Sequence, residues 1–152
     1  MRLLIQNVLN ANVKINEKIV GSISRGFCVF VGFCEGDNEN IVKKMVDKFV
    51  SLRLFNDENG KTNLSLNDIN GEILSVSQFT LYADVSHGRR PSFVNALKGE
   101  ESVILYNFFN SYLSSLGYKI NTGVFGADME VNIVNDGPFT IFLDSKDLIK
   151  WK

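Results

Sequence analysis

Phe27-Cys28-Val29-Phe30-Val31 carries no polar side chain at any position, and this stretch constrains the fold more than any other. A strand points successive side chains to opposite faces, so a run that is apolar throughout has to be covered on both. It is therefore read as a central strand. The apolar run extends to Phe33, but it contains Gly32 and is far too short to span a bilayer, so no membrane protein is expected.

Two helices are available as covers. After Glu35-Gly36-Asp37, either Asp37 or Asn38 can cap a helix whose apolar positions Ile41, Val42, Met45, Val46, Phe49 and Val50 recur at helical spacing. The second runs from Glu100 to Leu116. It has acidic residues at its start, Gly117 just past its end, and apolar or aromatic residues at Val103, Ile104, Leu105, Phe108, Phe109, Tyr112, Leu113 and Leu116.

The rest reads mainly as strand. Arg2 to Val8, Ala11 to Ile15 and Ile19 to Ile23 suggest an antiparallel meander turning at Asn16-Glu17-Lys18. Asn59-Gly60 and Asn70-Gly71 mark tight turns. Asp57-Glu58-Asn59-Gly60 reads as a hairpin and not a calcium loop, because its glycine comes too early and no glutamate closes the loop. Glu72 to Ala83 is the longest strand candidate, with polar groups at Ser75, Ser77, Gln78 and Thr80 that need partners or a task. Tyr118-Lys119-Ile120 begins another strand, and Gly123-Val124-Phe125-Gly126 is a turn. The expected class is α/β of the α+β type: a strand-dominated, curled or closed, β-barrel-like sheet with two packed amphipathic helices.

Asn135-Asp136-Gly137-Pro138-Phe139-Thr140 is the irregular element. It sets Gly-Pro between Met129 to Ile133, which alternates, and Phe139 to Leu143, which is β-branched and aromatic. Proline has no N–H for a ladder, so this is either a turn joining two strands or a backbone fixture built on a cis bond.

At 152 residues the chain fits a single domain, 1–152, with 45% hydrophobic and 22% charged residues. Sixteen Lys and Arg against seventeen Asp and Glu give a net charge of −1, so no overall basic field advertises nucleic acid, and no DNA partner is expected. The loop Asp84 to Pro91, with His87, Arg89 and Arg90, is the best local basic spot. Cys28 and Cys34 on one strand would lie about 20 Å apart, too far to bridge, and both read as small core residues. With no signal peptide evident, a cytoplasmic location is expected.

Reactive groups are few. His87 is the only histidine, and it lies in an exposed-looking loop. Two cysteines and one histidine at unrelated spacings match no metal motif, and no Walker or Gly-x-Gly-x-x-Gly loop is present, so neither metal nor cofactor is expected. Asp128, Glu130 and Asp136 could serve as acid and base or be solvated strand residues. Ser77 and Thr80 lack an adjacent base. Backbone N–H groups near Gln78 and Phe79 could stabilise an oxyanion without one.

Ser77-Gln78-Phe79-Thr80-Leu81-Tyr82 and Asn135-Asp136-Gly137-Pro138-Phe139-Thr140, in that order, resemble the D-aminoacyl-tRNA deacylase family, also called the D-tyrosyl-tRNA deacylase family. Gly88-Arg89-Arg90-Pro91-Ser92-Phe93, Gly123-Val124-Phe125-Gly126-Ala127 and the opening Met1-Arg2 with Ile5-Gln6 are similar to its other motifs. The resemblance implies a homodimer with active sites at the interface, hydrolysing the ester between a D-amino acid and the 3′ end of tRNA. It implies that Ser77, Gln78, Phe79 and Thr80 surround the ester. Gly137 and Pro138, joined by a cis bond, would reach into the partner's pocket and reject L substrates through their carbonyls, while glycine would still be accepted. Met129, Phe125, Ala127 and Phe93 would help wall the pocket. It further implies that the tRNA's own 2′-hydroxyl assists water, so that no protein base is required. Asn7 stands where the family commonly has arginine, Phe139 where it has valine and Asp128 where methionine is common.

Two other readings remain: a synthetase-type editing domain acting on an L-aminoacyl-tRNA, and a non-catalytic RNA-end-binding dimer.

Overall fold

The structure, a computed structural model, describes residues 1–150; Trp151 and Lys152, placed in the same domain from sequence, lie outside the described residues. Strand β1 (Arg2–Ile15) turns at Asn16 and Glu17, with φ of 48° and 66°, into β2 (Lys18–Ile23), and β3 (Gly26–Gly32) follows after Ser24 and Arg25. The expected hairpin across Asn16-Glu17-Lys18 forms, but Arg2 to Val8 and Ala11 to Ile15, read as separate strands of a meander, are one continuous strand. β2 and β3 run one after the other along the same edge of β1, with Ala11 opposite Ile23 and Val8 opposite Gly26. Ser24 and Arg25 carry the chain onward from one strand to the other. They are tied to the next strand by the Ser24 N–H donating to the Glu72 carboxylate at 2.7 Å and the Glu72 N–H donating to the Arg25 carbonyl at 3.1 Å.

Helix α1 (Glu39–Ser51) is capped by Asn38, whose side-chain oxygen accepts from the Ile41 N–H at 3.0 Å. The turn-rich stretch holds a small hairpin of β4 (Phe55–Asn56) and β5 (Thr62–Leu64), as expected. Strand β6 (Glu72–Ser77) lies parallel to β3, and after α2 (Gly99–Ser115) comes β7 (Lys119–Thr122), parallel to β6. The strand expected over Glu72 to Ala83 stops at Ser77. From Phe79 to Tyr82 the backbone instead takes a 3-10 turn.

The last strand, β8 (Glu130–Asp144), pairs with the free edge of β1 along nearly its whole length. The two strands expected around Gly137-Pro138 are thus one. Gln6 faces Thr140 and Val8 faces Asn135, so Asp136 to Phe139 bulge out opposite the single residue Asn7. The sheet nearly closes on itself. A Cβ on Gly21 of β2 would stand 2.6 Å from the Thr122 carbonyl oxygen of β7, an approach that only glycine permits.

Central strand β3 is covered on both faces, as its composition requires. Phe27, Val29 and Val31 pack with Leu3, Ile5 and the buried faces of both helices, including Val42, Phe49, Leu105 and Phe109. Cys28 and Phe30 face the inside of the curl with Val8, Val13, Leu74 and Val76. Each fully buried large apolar side chain contributes roughly 1.5 to 3 kcal/mol. The Phe27 ring lies 5.4 Å from Phe49 and 4.9 Å from Phe55, which joins α1 and the β4 hairpin to the sheet.

Candidate active site

The ends of β3 and β6 open onto a cavity of about 640 Å³. Ser77, Gln78 and Phe79 line it from β6, Phe93 and Lys98 from the segment entering α2, and Phe125, Ala127 and Met129 from the turn after β7. Seven of the sequence-nominated residues therefore meet at one place, although they come from three separated parts of the chain.

The geometry at the β6 end follows from one hydrogen bond. The Gln78 N–H donates to the Val31 carbonyl at 2.7 Å, which keeps the chain on the sheet edge for one more residue before the 3-10 turn begins. The Leu81 N–H then donates to the Gln78 carbonyl at 3.3 Å and the Ala83 N–H to the Thr80 carbonyl at 3.0 Å. The first N–H groups of such a turn, those of Phe79 and Thr80, have no partner within it. The Gln78 N–H, expected as an oxyanion donor, is already committed to the sheet. Gly32 makes room for the turn, since a Cβ there would lie 2.8 Å from the Gln78 carbonyl oxygen.

Thr80 does not line the cavity. It is exposed beside it, its hydroxyl oxygen accepting from the Gln78 side-chain amide, and among the described residues no basic side chain is hydrogen-bonded to it. The aromatic rim is built by Phe79 and Phe93, edge to face with ring centres 5.0 Å apart and both largely exposed.

The opposite wall is held from behind. Buried Tyr106 donates its hydroxyl to the Ser75 carbonyl at 2.8 Å, and the Gly123 N–H donates to the same carbonyl at 3.2 Å. The Tyr106 ring also stands 5.8 Å from Phe125. Burial raises the Tyr106 pKa, so this hydroxyl stays a donor across the physiological range. The polar side chain of Ser75 is structural, its hydroxyl donating to the Tyr106 hydroxyl at 3.3 Å, whereas Ser77 lines the cavity together with Val76.

Gly137 and Pro138 are exposed and do not line the cavity of the chain that carries them. Their peptide bond is cis, and Gly137 has φ of 127°, a region that favours glycine. Asn7, opposite this bulge, is buried. Its side-chain amide donates to the Leu54 carbonyl at 2.6 Å, while its Oδ1 has no hydrogen-bond partner among the described residues.

Lys98, Gly99, Ser102 and Asp128 also line the cavity. Sequence reasoning did not assign the first three to the site, because only tertiary packing brings the start of α2 against β3. His87 does not line the cavity; it is exposed and hydrogen-bonded at Nδ1 with the Ser86 hydroxyl at 2.7 Å. Glu130 is exposed and does not line this cavity. Among the described residues no group of three or more His, Cys, Asp or Glu could hold a metal ion, and no helix is long and apolar enough to cross a membrane.

The family described as D-Tyr-tRNA(Tyr) deacylase matches residues 4–144. The D-aminoacyl-tRNA deacylase of Lactobacillus gasseri is 54% identical over 144 residues, covering 95% of this chain and 99% of that protein. This chain belongs to the D-Tyr-tRNA(Tyr) deacylase family. The Listeria innocua D-aminoacyl-tRNA deacylase agrees, at 51% identity over 150 residues, with 99% and 100% of the two chains covered. A solved structure titled c-Myc DNA Unwinding Element Binding Protein superposes with a TM-score of 0.89 at 40% identity, covering 95% of this chain and 98% of that one. Another, titled a probable eukaryotic D-amino acid tRNA deacylase, does so at 0.83 and 18% identity over 93% and 97%, a likeness of fold alone. As a member of the D-Tyr-tRNA(Tyr) deacylase family, the chain is an ester hydrolase with D-aminoacyl-tRNA deacylase activity.

Proposed function

We propose that the cavity takes the 3′ end of a tRNA esterified with a D-amino acid, or mischarged with glycine, and that a second copy of the chain completes it. The observation that carries the reading is the placement of the Gly137-Pro138 bulge: exposed, outside its own chain's cavity, and made of residues whose side chains block little. In a homodimer the bulge of one copy enters the cavity of the other. Its carbonyls hold the substrate's α-amino group so that an L side chain meets backbone while a D side chain points outward; glycine, lacking a side chain, is not excluded.

The ester carbonyl lies against the end of β6, with the N–H of Phe79 donating to the oxyanion. Ser77 and Gln78 flank it, and Phe125, Ala127 and Met129 wall the bound group. Water attacks the carbonyl carbon, the bond to the ribose oxygen breaks, and that oxygen takes the proton. The neighbouring ribose hydroxyl assists the attack, which fits a lining without histidine.

The test is to incubate the protein with D-tyrosyl-, L-tyrosyl-, L-seryl- and glycyl-tRNA and follow ester loss. Release from the D and glycyl substrates alone supports the reading. Release from L-seryl-tRNA supports an editing domain instead, and no release supports a binding dimer. Sedimentation of the same sample reports whether the chain is dimeric.

A further inference from the structure

We infer that the loop between Asp84 and Ser92 is a docking surface for the single-stranded 3′ end of the tRNA, with Arg89 and Arg90 pairing with phosphates next to the reacting nucleotide. This deepens the proposed function and rests on it for the identity of the RNA. Asp84 and Ser92 exchange backbone hydrogen bonds, Asp84 N–H to the Ser92 carbonyl at 2.8 Å and the reverse at 2.9 Å, which closes the loop at its base. Asp84 also accepts from the Ser86 N–H at 2.9 Å and from its hydroxyl at 2.6 Å, so the first turn of the loop is fixed from within.

Segments that contain cavity-lining residues adjoin both ends of this loop. The 3-10 turn from Phe79 leads into it, and Phe93, which lines the cavity, follows directly on Ser92. Arg90 is three residues from Phe93, a span of at most about 10 Å. Both arginines are exposed, and among the described residues neither takes part in an ion pair. In a chain of net charge −1, two adjacent exposed arginines without an ion pair, a few residues before the cavity-lining Phe93, form a local positive field.

The loop also carries the second requirement of a single-strand surface. Phe79 and Phe93 are 54% and 40% exposed, and Val85 and Val94 are 71% and 82% exposed around them. Aromatic faces beside arginines accept stacked bases and backbone charge together, whatever the sequence. A free amino acid or a nucleoside ester would use the cavity alone.

The experiment compares the wild type with an Arg89→Ala/Arg90→Ala double variant on two substrates: D-tyrosyl-tRNA, and the corresponding D-tyrosyl ester of adenosine, which has no phosphates. Binding of uncharged tRNA is measured across a KCl series. Each phosphate contact on a single strand contributes about 0.7 to the slope of log affinity against log salt, so the double variant should lose about 1.4 of that slope. On D-tyrosyl-tRNA its KM should rise about tenfold in low salt with kcat unchanged, and on the nucleoside ester neither constant should move. An Arg89→Lys/Arg90→Lys variant should recover most of the slope, since phosphates read charge. Equal losses on both substrates, or an unchanged salt slope for uncharged tRNA, would overturn the inference. A wild type that hydrolyses neither substrate would sink the proposed function while the tRNA-binding series still tests the loop.

Discussion

Gln6 and Thr140 face each other in register, and on the far side of the bulge Val8 faces Asn135, so that one residue of β1 subtends four of β8. The bulge is thus projected from a strand that is otherwise held along its full length. Its conformation is a matter of local backbone more than of side-chain packing, which makes Gly137 the residue to alter.

Gly137→Ala places a Cβ 3.0 Å from the Phe139 N at a φ of 127°. The strain should cost about 1 to 2 kcal/mol. Urea denaturation should show a fold that survives with a lowered midpoint, while hydrolysis of D-tyrosyl-tRNA falls far more than stability does. Wild-type activity in this variant would count against the bulge as part of the site.

Thr80→Ala should remain within about tenfold of wild-type kcat, because nothing adjacent activates this exposed hydroxyl. Single-turnover hydrolysis with tRNA binding measured in parallel checks it. Complete loss with intact binding would restore Thr80 as a nucleophile.

Two glycines separate packing from site. A Cβ on Gly26 would lie 1.9 Å from the Glu72 carbonyl oxygen, which is backbone and fixed by the β3–β6 pairing, so Gly26→Ala should cost about 3 kcal/mol or prevent folding. On Gly123 the nearest atom is the Met129 sulfur at 2.4 Å, the end of a flexible side chain that lines the cavity. Gly123→Ala should therefore leave the denaturation midpoint nearly unchanged and alter KM. The reverse ranking would contradict the backbone approach at Gly26.

Burial pushes the Cys28 thiol up to about 12 from its ordinary 9.0. The unfolded chain gives up this proton before the folded one does, so stability is full below pH 9 and falls between pH 9 and 12, by at most about 1.4 kcal/mol per unit. Comparing wild type with Cys28→Ala by denaturation at pH 8 and pH 10 should show the smaller decline in the variant. Parallel declines would place the loss elsewhere.

Much of the architecture is legible in residue patterns. The two-sided apolarity of Phe27 to Val31 is enough to require a covered central strand, and the spacing of Val42, Met45, Val46 and Phe49, with Asn38 as cap, is enough for α1. What escapes local patterning is continuity. Arg2 to Val8 and Ala11 to Ile15 look like two strands, yet they are one, paired with the distant β8 along both parts. Gly137-Pro138 looks like a boundary between two strands, yet β1 holds both flanks in one ladder. In the site, the end of β6 and the turn after β7 have sequence signatures, whereas Lys98 and Ser102 reach the cavity only through the packing of α2 against the sheet. The role of Ser75 was hidden for the same reason, since its partner Tyr106 lies on that helix.

The pairing of β1 with β8 joins Arg2 to Asp144, almost the longest loop this chain can close. Such closure is slow, because its entropy cost is met before distant contacts reward it. During synthesis β1, β2 and β3 can zip as a hairpin soon after they emerge, and β6 can dock beside them. One edge of β1 nevertheless stays open until the final strand is made, exposed to wrong pairings with neighbouring chains. The strand that carries the bulge is also the one that seals this edge, so a nascent chain becomes protected from aggregation and acquires its Gly137-Pro138 projection in the same event.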